Sequence, residues 1–189
     1  MLLPPTADGR VRFSRDAYHR LGELGILPPD QPFELIEGEI YMMSPIGPFQ
    51  GGIITRLMNF FVTRLPSHLS CRVQLSMAVS GDSEPEPDLA IVLFREDDYI
   101  TALPTPNDVA LLIEVAQSSL PFDLGRKLRL YAGAKISEYW VIDVEHKMIL
   151  VHRQPTGNEY RVVQPFALGS QIAPLAAPET QLDVSWLFR

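Results

Sequence analysis

Apolar positions along this chain fall into two kinds of pattern, and together they predict a mixed fold. Between Gly51 and Leu65, Ile53, Ile54, Leu57, Met58, Phe61 and Leu65 recur at helical spacing until Pro66 stops the run, so a core helix is expected there. "FDLGRKLRLYAGA" predicts a second core helix, with Leu124, Leu128 and Tyr131 on one face. A shorter one starts after Ser14, a good N-cap, carries Ala17, Leu21 and Leu24 on one face and stops at Gly25. The strand patterns are shorter. "PFELIEGEIYMMSP" reads as a hairpin turning near Gly38. "CRVQLSMAV" alternates, with Cys71, Val73, Leu75, Met77 and Val79 on one face, and predicts a half-buried strand. "DLAIVLF", "VALLIEV" and "EYWVID" read as interior strands, and "MILVHRQ" and "EYRVVQ" follow with a turn at "PTGN". The segment from Arg95 to Asp108, with Pro104 and Pro106, is expected to be a loop, with a short helix near Asp97 as the alternative. The tail, with Pro174 and Pro178, is expected to be irregular and to pack back through Trp186, Leu187 and Phe188. This order of elements describes an α/β (α+β) domain with a central mixed β-sheet flanked by helices, not a doubly wound one.

Composition sharpens this picture. With 189 residues and 46% hydrophobic content, the chain supports one sizeable core, and no repeats divide it, so residues 1–189 are read as a single domain. "MLLPPTADGR" lacks a charged leader followed by an apolar run, and no segment is apolar enough to span a bilayer, so neither a secretory signal nor a membrane anchor is expected. Cys71 is the single cysteine and cannot form an intrachain disulfide. Cytoplasmic location is the resulting expectation. A formal net charge of -7 argues against a broadly basic, DNA-coating surface but leaves room for a local basic strip. Part of an acidic excess can also be a metal-binding cluster.

The candidate chemistry begins with Glu114, an acid inside the apolar run "LLIEVA". A buried carboxylate must be protonated, paired with a cation or bound to a metal. Asp88 opens a neighbouring strand directly after Pro87, so the two acids can meet at one end of the sheet and share a divalent cation such as Mg²⁺, with the Val115 carbonyl as a third oxygen ligand. Lys127, on the helix that follows, can stabilise charge on a phosphate or orient a water. Each residue also has an ordinary reading. Pro87-Asp88 is a turn signal, Glu114 can pair with an arginine, and Asp123 and Lys127 can form an i, i+4 pair on a solvated helix face. Other catalytic patterns are absent. His19, His68, His146 and His152 lack zinc-site spacing, "GPFQGG" is not followed by Lys-Ser/Thr, and no serine sits in a G-x-S-x-G elbow.

The stretches "FELIEGEIYMMSPIG", "SEPEPDLAIV" and above all "LLIEVAQSSLPFDLGRKLRLYAGAKISEYWVIDV" are similar to the Uma family (Uma-two), a restriction-endonuclease-like group within the PD-(D/E)XK nuclease superfamily. The resemblance runs from about Ser14 to Trp186. It implies a restriction-endonuclease-like fold, with Asp88 and Glu114 as metal-binding acids and Lys127 as the catalytic lysine. Ala116 occupies the position, two after Glu114, where many superfamily members carry lysine. Glu34 matches an acidic position in the family's hairpin, with Glu37 as a competing candidate. Where the family commonly has histidine after "SPIG", this chain has Gln50, which hydrogen-bonds but does not shuttle protons near neutral pH.

The function expected from this reading is Mg²⁺-dependent (or Mn²⁺-dependent) endonucleolytic hydrolysis of DNA by a homodimer, with Tyr41 and Met42 contributing to the subunit contact. Two rivals differ in class. One is a nuclease-fold protein that has lost catalysis and acts in nucleic-acid binding or regulation, which Gln50 and the acidic balance favour. The other is a metal-free hydrolase using Asp88 and Glu114 as an acid/base pair on a sugar, which Lys127 disfavours because it would depress a neighbouring acid's pKa.

Overall fold

The computed structural model describes residues 1–7 and 9–189. A short ladder of β1 (Leu2–Leu3) and β2 (Arg12–Phe13) leads into helix α1 (Arg15–Glu23), where the Ser14 hydroxyl accepts from the Ala17 N–H at 3.2 Å, as an N-cap should. The hairpin follows as β3 (Phe33–Ile36) and β4 (Glu39–Met42). Its turn places Glu37 and Gly38 at φ of 50° and 79°, and a Cβ on Gly38 would stand 2.9 Å from that of Arg12, so glycine is required there on both counts. Helix α2 spans Pro48–Arg64. After it come β5 (Leu69–Val73), β6 (Leu89–Leu93), β7 (Val109–Ala116), a crossover helix α3 over residues 120–133, then β8 (Glu138–Asp143), β9 (Met148–Thr156) and β10 (Glu159–Phe166). The tail adds a two-residue ladder of β11 (Gln171–Ile172) with β12 (Leu182–Asp183) and the short helix α4 (Val184–Leu187).

The central sheet has six strands in the order β10-β9-β8-β7-β6-β5. β7 and β8 are parallel and joined by α3, and every other neighbouring pair is antiparallel. The sheet is therefore mixed and helix-flanked, as the sequence pattern predicts. Strand alternation divides its two faces. Leu111, Ile113 and Val115 of β7 pack with Ile53, Leu57 and Phe61 of α2 and with the tail residues Leu187 and Phe188. Leu112 and Ala116 face the other way, toward Tyr131 and Ala132 of α3. Burying both faces explains why β7 reads as a continuous apolar run, and why an acid within it must face a helix and not water.

Two expectations need correction. The strand predicted over residues 71–79 ends at Val73, because Gln74 turns into the left-handed region at φ 51° and its N–H then reaches the Asp88 carbonyl. The alternation continues past that point without a strand, and Leu75 is exposed. The tail is more ordered than its prolines suggest, since α4 and the β11–β12 ladder bury Leu182, Val184, Leu187 and Phe188 against the α2 side of the sheet. Among the described residues, no helix is long and apolar enough to cross a membrane.

Candidate active site

A cavity of about 440 Å³ opens at the end of β7 where the hairpin, the start of α2 and the first turns of α3 meet. Four carboxylates line it, from Glu34, Asp88, Glu114 and Asp123, together with the single ammonium of Lys127. The β6–β7 register pairs Leu89 with Ile113, and continuing it by one residue sets Asp88 opposite Glu114. Asp88 is held there because one of its oxygens accepts the Val115 N–H at 2.8 Å, just beyond the end of β6. Glu114 shares the α3 face of β7 with Leu112 and Ala116, and it meets that helix directly. Lys127 Nζ donates to Glu114 Oε1 at 3.0 Å and Tyr131 Oη donates to the same oxygen at 2.9 Å. Both donors converge on Oε1, so Oε2 takes no hydrogen bond from the described residues. A lysine answers the demand that a buried Glu114 makes for a partner.

Lys127 also reaches Glu34, whose Oε2 lies 3.1 Å from Nζ. The hairpin delivers Glu34 because Leu35 pairs with Glu84 on the segment leading into β6, with N–H to O distances of 2.7 and 3.3 Å. Glu37 is turned away by its left-handed backbone and pairs with Arg126 at 3.0 Å on the outer side. Of the two hairpin acids, Glu34 is the one in the cavity. Gln50 sits in the first turn of α2, on the same stripe as Ile53, Ile54 and Leu57, and its Nε2 donates to the Val115 carbonyl at 3.0 Å. The structure thus brings together Glu34, Gln50, Asp88, Glu114, Val115 and Lys127.

Sequence reasoning did not place Asp123 or Tyr131 in this cluster. Asp123 is 2% exposed, accepts from the Ser119 hydroxyl at 2.6 Å, and opens a π-helical stretch, Asp123–Lys127, in which the Leu128 N–H returns to the Asp123 carbonyl. π-turns inside helices are frequent at functional sites. Asp123, Lys127 and Tyr131 form an i, i+4 stripe that faces the sheet, so the two residues expected to pair on a solvated surface lie inside the protein, where Lys127 pairs with Glu34 and Glu114 and not with Asp123. The signal for Asp123 was present in its spacing to Lys127. Its burial was not, because the stripe is polar.

With one ammonium among four carboxylates, the cluster carries surplus acid. Burial raises the Glu114 carboxyl well above the usual range, against the pull of Lys127 and with the help of Asp123, Asp88 and Glu34. Burial likewise raises Asp88, opposed by the Val115 N–H and Lys127. Burial alone would lower Lys127, but Glu114, Glu34 and Asp123 outweigh it and hold the ammonium above its ordinary value. Asp123 is pushed up to about 6, again by burial first. A carboxyl raised on folding binds its proton more tightly in the folded state, so its contribution to stability is full at low pH and is lost as pH rises through that value. Asp123→Asn should therefore flatten the fall in stability as pH rises from about 4 through about 6, by at most about 3 kcal/mol in thermal or urea unfolding without divalent cations. His152, whose pKa burial lowers, pulls the other way in both proteins and cancels in the difference. An unchanged slope would show that Asp123 is not the group that titrates.

Among the described residues, no three His, Cys, Asp or Glu side chains are gathered into a ready-made metal cage. The donors present are nevertheless hard oxygens, namely two opposed carboxylates and a carbonyl with a second lone pair beyond the one Gln50 uses. Mg²⁺ suits such a set, since it binds through one or two carboxylates and keeps its waters. The residues fit a divalent cation on the chemistry of the donors and on the surplus acid.

The profile of the Uma2 family, described as "Putative restriction endonuclease", matches residues 15–185. The chain belongs to the Uma2 family. A crystal structure from Anabaena variabilis, described as "a putative nuclease", shares this Uma2 chain's fold with a TM-score of 0.74 at 18% identity, over 93% of this chain and 97% of that one. Comparison with curated proteins gives no match. The Uma2 match spans every element that lines the cavity.

Proposed function

We propose that this Uma2 protein is a nuclease that hydrolyses phosphodiester bonds of DNA with a divalent cation, Mg²⁺ or Mn²⁺, held by Asp88, Glu114 and the Val115 carbonyl. The observation that carries this reading is the convergence of buried carboxylates on a single buried lysine in one open cavity. A bound cation supplies Lewis-acid polarisation of the phosphate and a more acidic water. The chain's own residues do the rest. Lys127 places positive charge against the non-bridging phosphate oxygens, and Glu34 fixes where that ammonium points. Tyr131 orients Glu114, and the Val115 N–H orients Asp88. Asp123, with a carboxyl at about 6, is placed to exchange a proton near neutral pH. The protein is expected to act as a homodimer, a symmetry that serves cutting of both strands.

The hydrogen bond from Gln50 to the Val115 carbonyl favours a second reading, in which the same cavity binds nucleic acid without cutting it. One experiment separates them. Purified protein is incubated with supercoiled and linear DNA in Mg²⁺, in Mn²⁺ and in EDTA. Metal-dependent nicking that disappears in EDTA supports the nuclease. Tight binding with intact strands in both metals supports the binding protein, and activity that survives EDTA overturns the metal assignment.

A further inference from the structure

Phosphate chemistry uses only the acidic floor of the cavity. The rest of its wall is built for something flat and apolar. Tyr41, Met42, Ile46 and Phe122 line the same space as the four carboxylates. Tyr41 and Phe122 are in aromatic contact, with ring centroids 4.9 Å apart. The Tyr41 ring is locked in place, since its hydroxyl donates to Glu39 at 2.7 Å, accepts from Arg126, and has the Arg126 guanidinium 5.2 Å from its centroid. Of the lining residues, Met42 and Ile46 are 66% and 44% exposed, and Phe49, 46% exposed, follows in the same stretch of chain. Such a patch marks a contact surface.

We infer that the site takes its nucleic acid as an unpaired strand, with one base lying against the Tyr41–Phe122 pair and the side chains of Met42 and Ile46. The inference rests on the nuclease reading and names the form of its substrate. Three observations point the same way. First, Asp88, Glu114 and Lys127 are each under a tenth exposed, so a phosphate must descend between walls to reach them, which a strand leaving its partner does more readily than one bound in a stiff duplex. Second, a base presents a π-face to aromatic rings whatever its sequence, and thioethers and methyl groups extend that platform. Lining the same space, the Gln117 amide and the Ser118 hydroxyl supply donors and acceptors for base edges. Third, the formal net charge of -7 denies the chain a broad basic track for a duplex backbone, and Arg126, beside the mouth, is already paired with Glu37 and Glu39. Stacking then has to supply the affinity that phosphate contacts do not.

The test is equilibrium binding of a single strand carrying a fluorescent purine analogue, whose emission is quenched on stacking, against the same strand annealed to its complement. It is run in Ca²⁺ and in EDTA, with strand integrity checked on gels. The single strand should bind at least about tenfold tighter than the duplex and its emission should fall. Phe122→Ala should weaken single-strand binding about tenfold and relieve the quenching, with duplex affinity unchanged. Because Phe122 also supports Tyr41, the double variant Met42→Ser with Ile46→Ser is measured in parallel; both side chains are exposed, and it should lose affinity without a change in melting temperature. Equal affinity for duplex and single strand, or quenching that survives both variants, overturns the inference. So does a double variant that changes only the sedimentation coefficient, since the rim then belongs to a second copy of the chain. Metal-dependent cleavage of duplex by both variants at the unsubstituted rate leaves the nuclease standing and removes this inference alone. Absence of any nucleic-acid binding or cutting removes both.

Discussion

Lys127→Ala is expected to lower stability by about 3 kcal/mol near pH 8 in the absence of divalent cations, because it strips the shared partner from two buried carboxylates. For a chain of this length, that corresponds to a fall of about 10 °C in melting temperature. A lysine on a solvated helix face would cost no more than about 0.5 kcal/mol. The i, i+4 pair with Asp123 on a solvated helix face, which the sequence allows, would leave folding nearly intact. Burial of both Glu34 and Glu114 against Nζ reverses that expectation. The loss should shrink toward about pH 5, since Glu114, already raised by burial, can then take a proton in place of the lysine's charge. Turnover should fall by about a hundredfold or more under conditions where the variant is folded, the cost typical of removing one preorganised electrostatic group. Differential scanning calorimetry at the two pH values, followed by cleavage assays below the melting point, checks both parts. A melting temperature equal to that of the unsubstituted protein would place Lys127 outside the cluster.

What could be read from the sequence, and what could not, follows from how each residue is positioned. Glu114 was legible because an acid in a run buried on both faces has few ways to exist, and Asp88 because its strand had to neighbour that run. The two core helices and the crossover from β7 to β8 were legible from periodicity and length. Glu34 and Glu37 could not be ranked by alternation, since the left-handed backbone at Glu37 breaks the alternation at the turn. The strand ending at Val73 was invisible for the opposite reason, because the apolar alternation runs on past the bend at Gln74. Asp123 shows the deepest limit. An acid and a lysine four apart on a helix describe a surface ion pair in most proteins. Only the seat of α3 over Glu114, with its π-turn, makes the same spacing an interior charge network.

Glu114→Gln should remove metal binding while sparing the fold. The amide is nearly isosteric, and its oxygen can still accept from Lys127 and Tyr131, which now donate to Oε1 at 3.0 and 2.9 Å. What changes is the other end, where an NH₂ group replaces the Oε2 that takes no hydrogen bond from the described residues. A donor there repels a cation, and the charge that helps attract it is gone. Affinity for Mg²⁺ or Mn²⁺ in calorimetry should fall by more than about a hundredfold, exceeding the loss usual for residues that only support a ligand. Cleavage should fall with it. In EDTA the variant should melt at or slightly above the temperature of the unsubstituted protein, because a carboxyl that burial disfavours has become neutral. Saturating Mg²⁺ should raise the melting temperature of the unsubstituted protein by several degrees, as about 2.7 kcal/mol of linkage at a hundredfold excess over Kd requires, and leave the variant unmoved. Full metal affinity in Glu114→Gln, with cleavage lost, would confine Glu114 to holding Lys127 and move the cation to Asp88 with Glu34 or Asp123, the remaining carboxylates of the cavity.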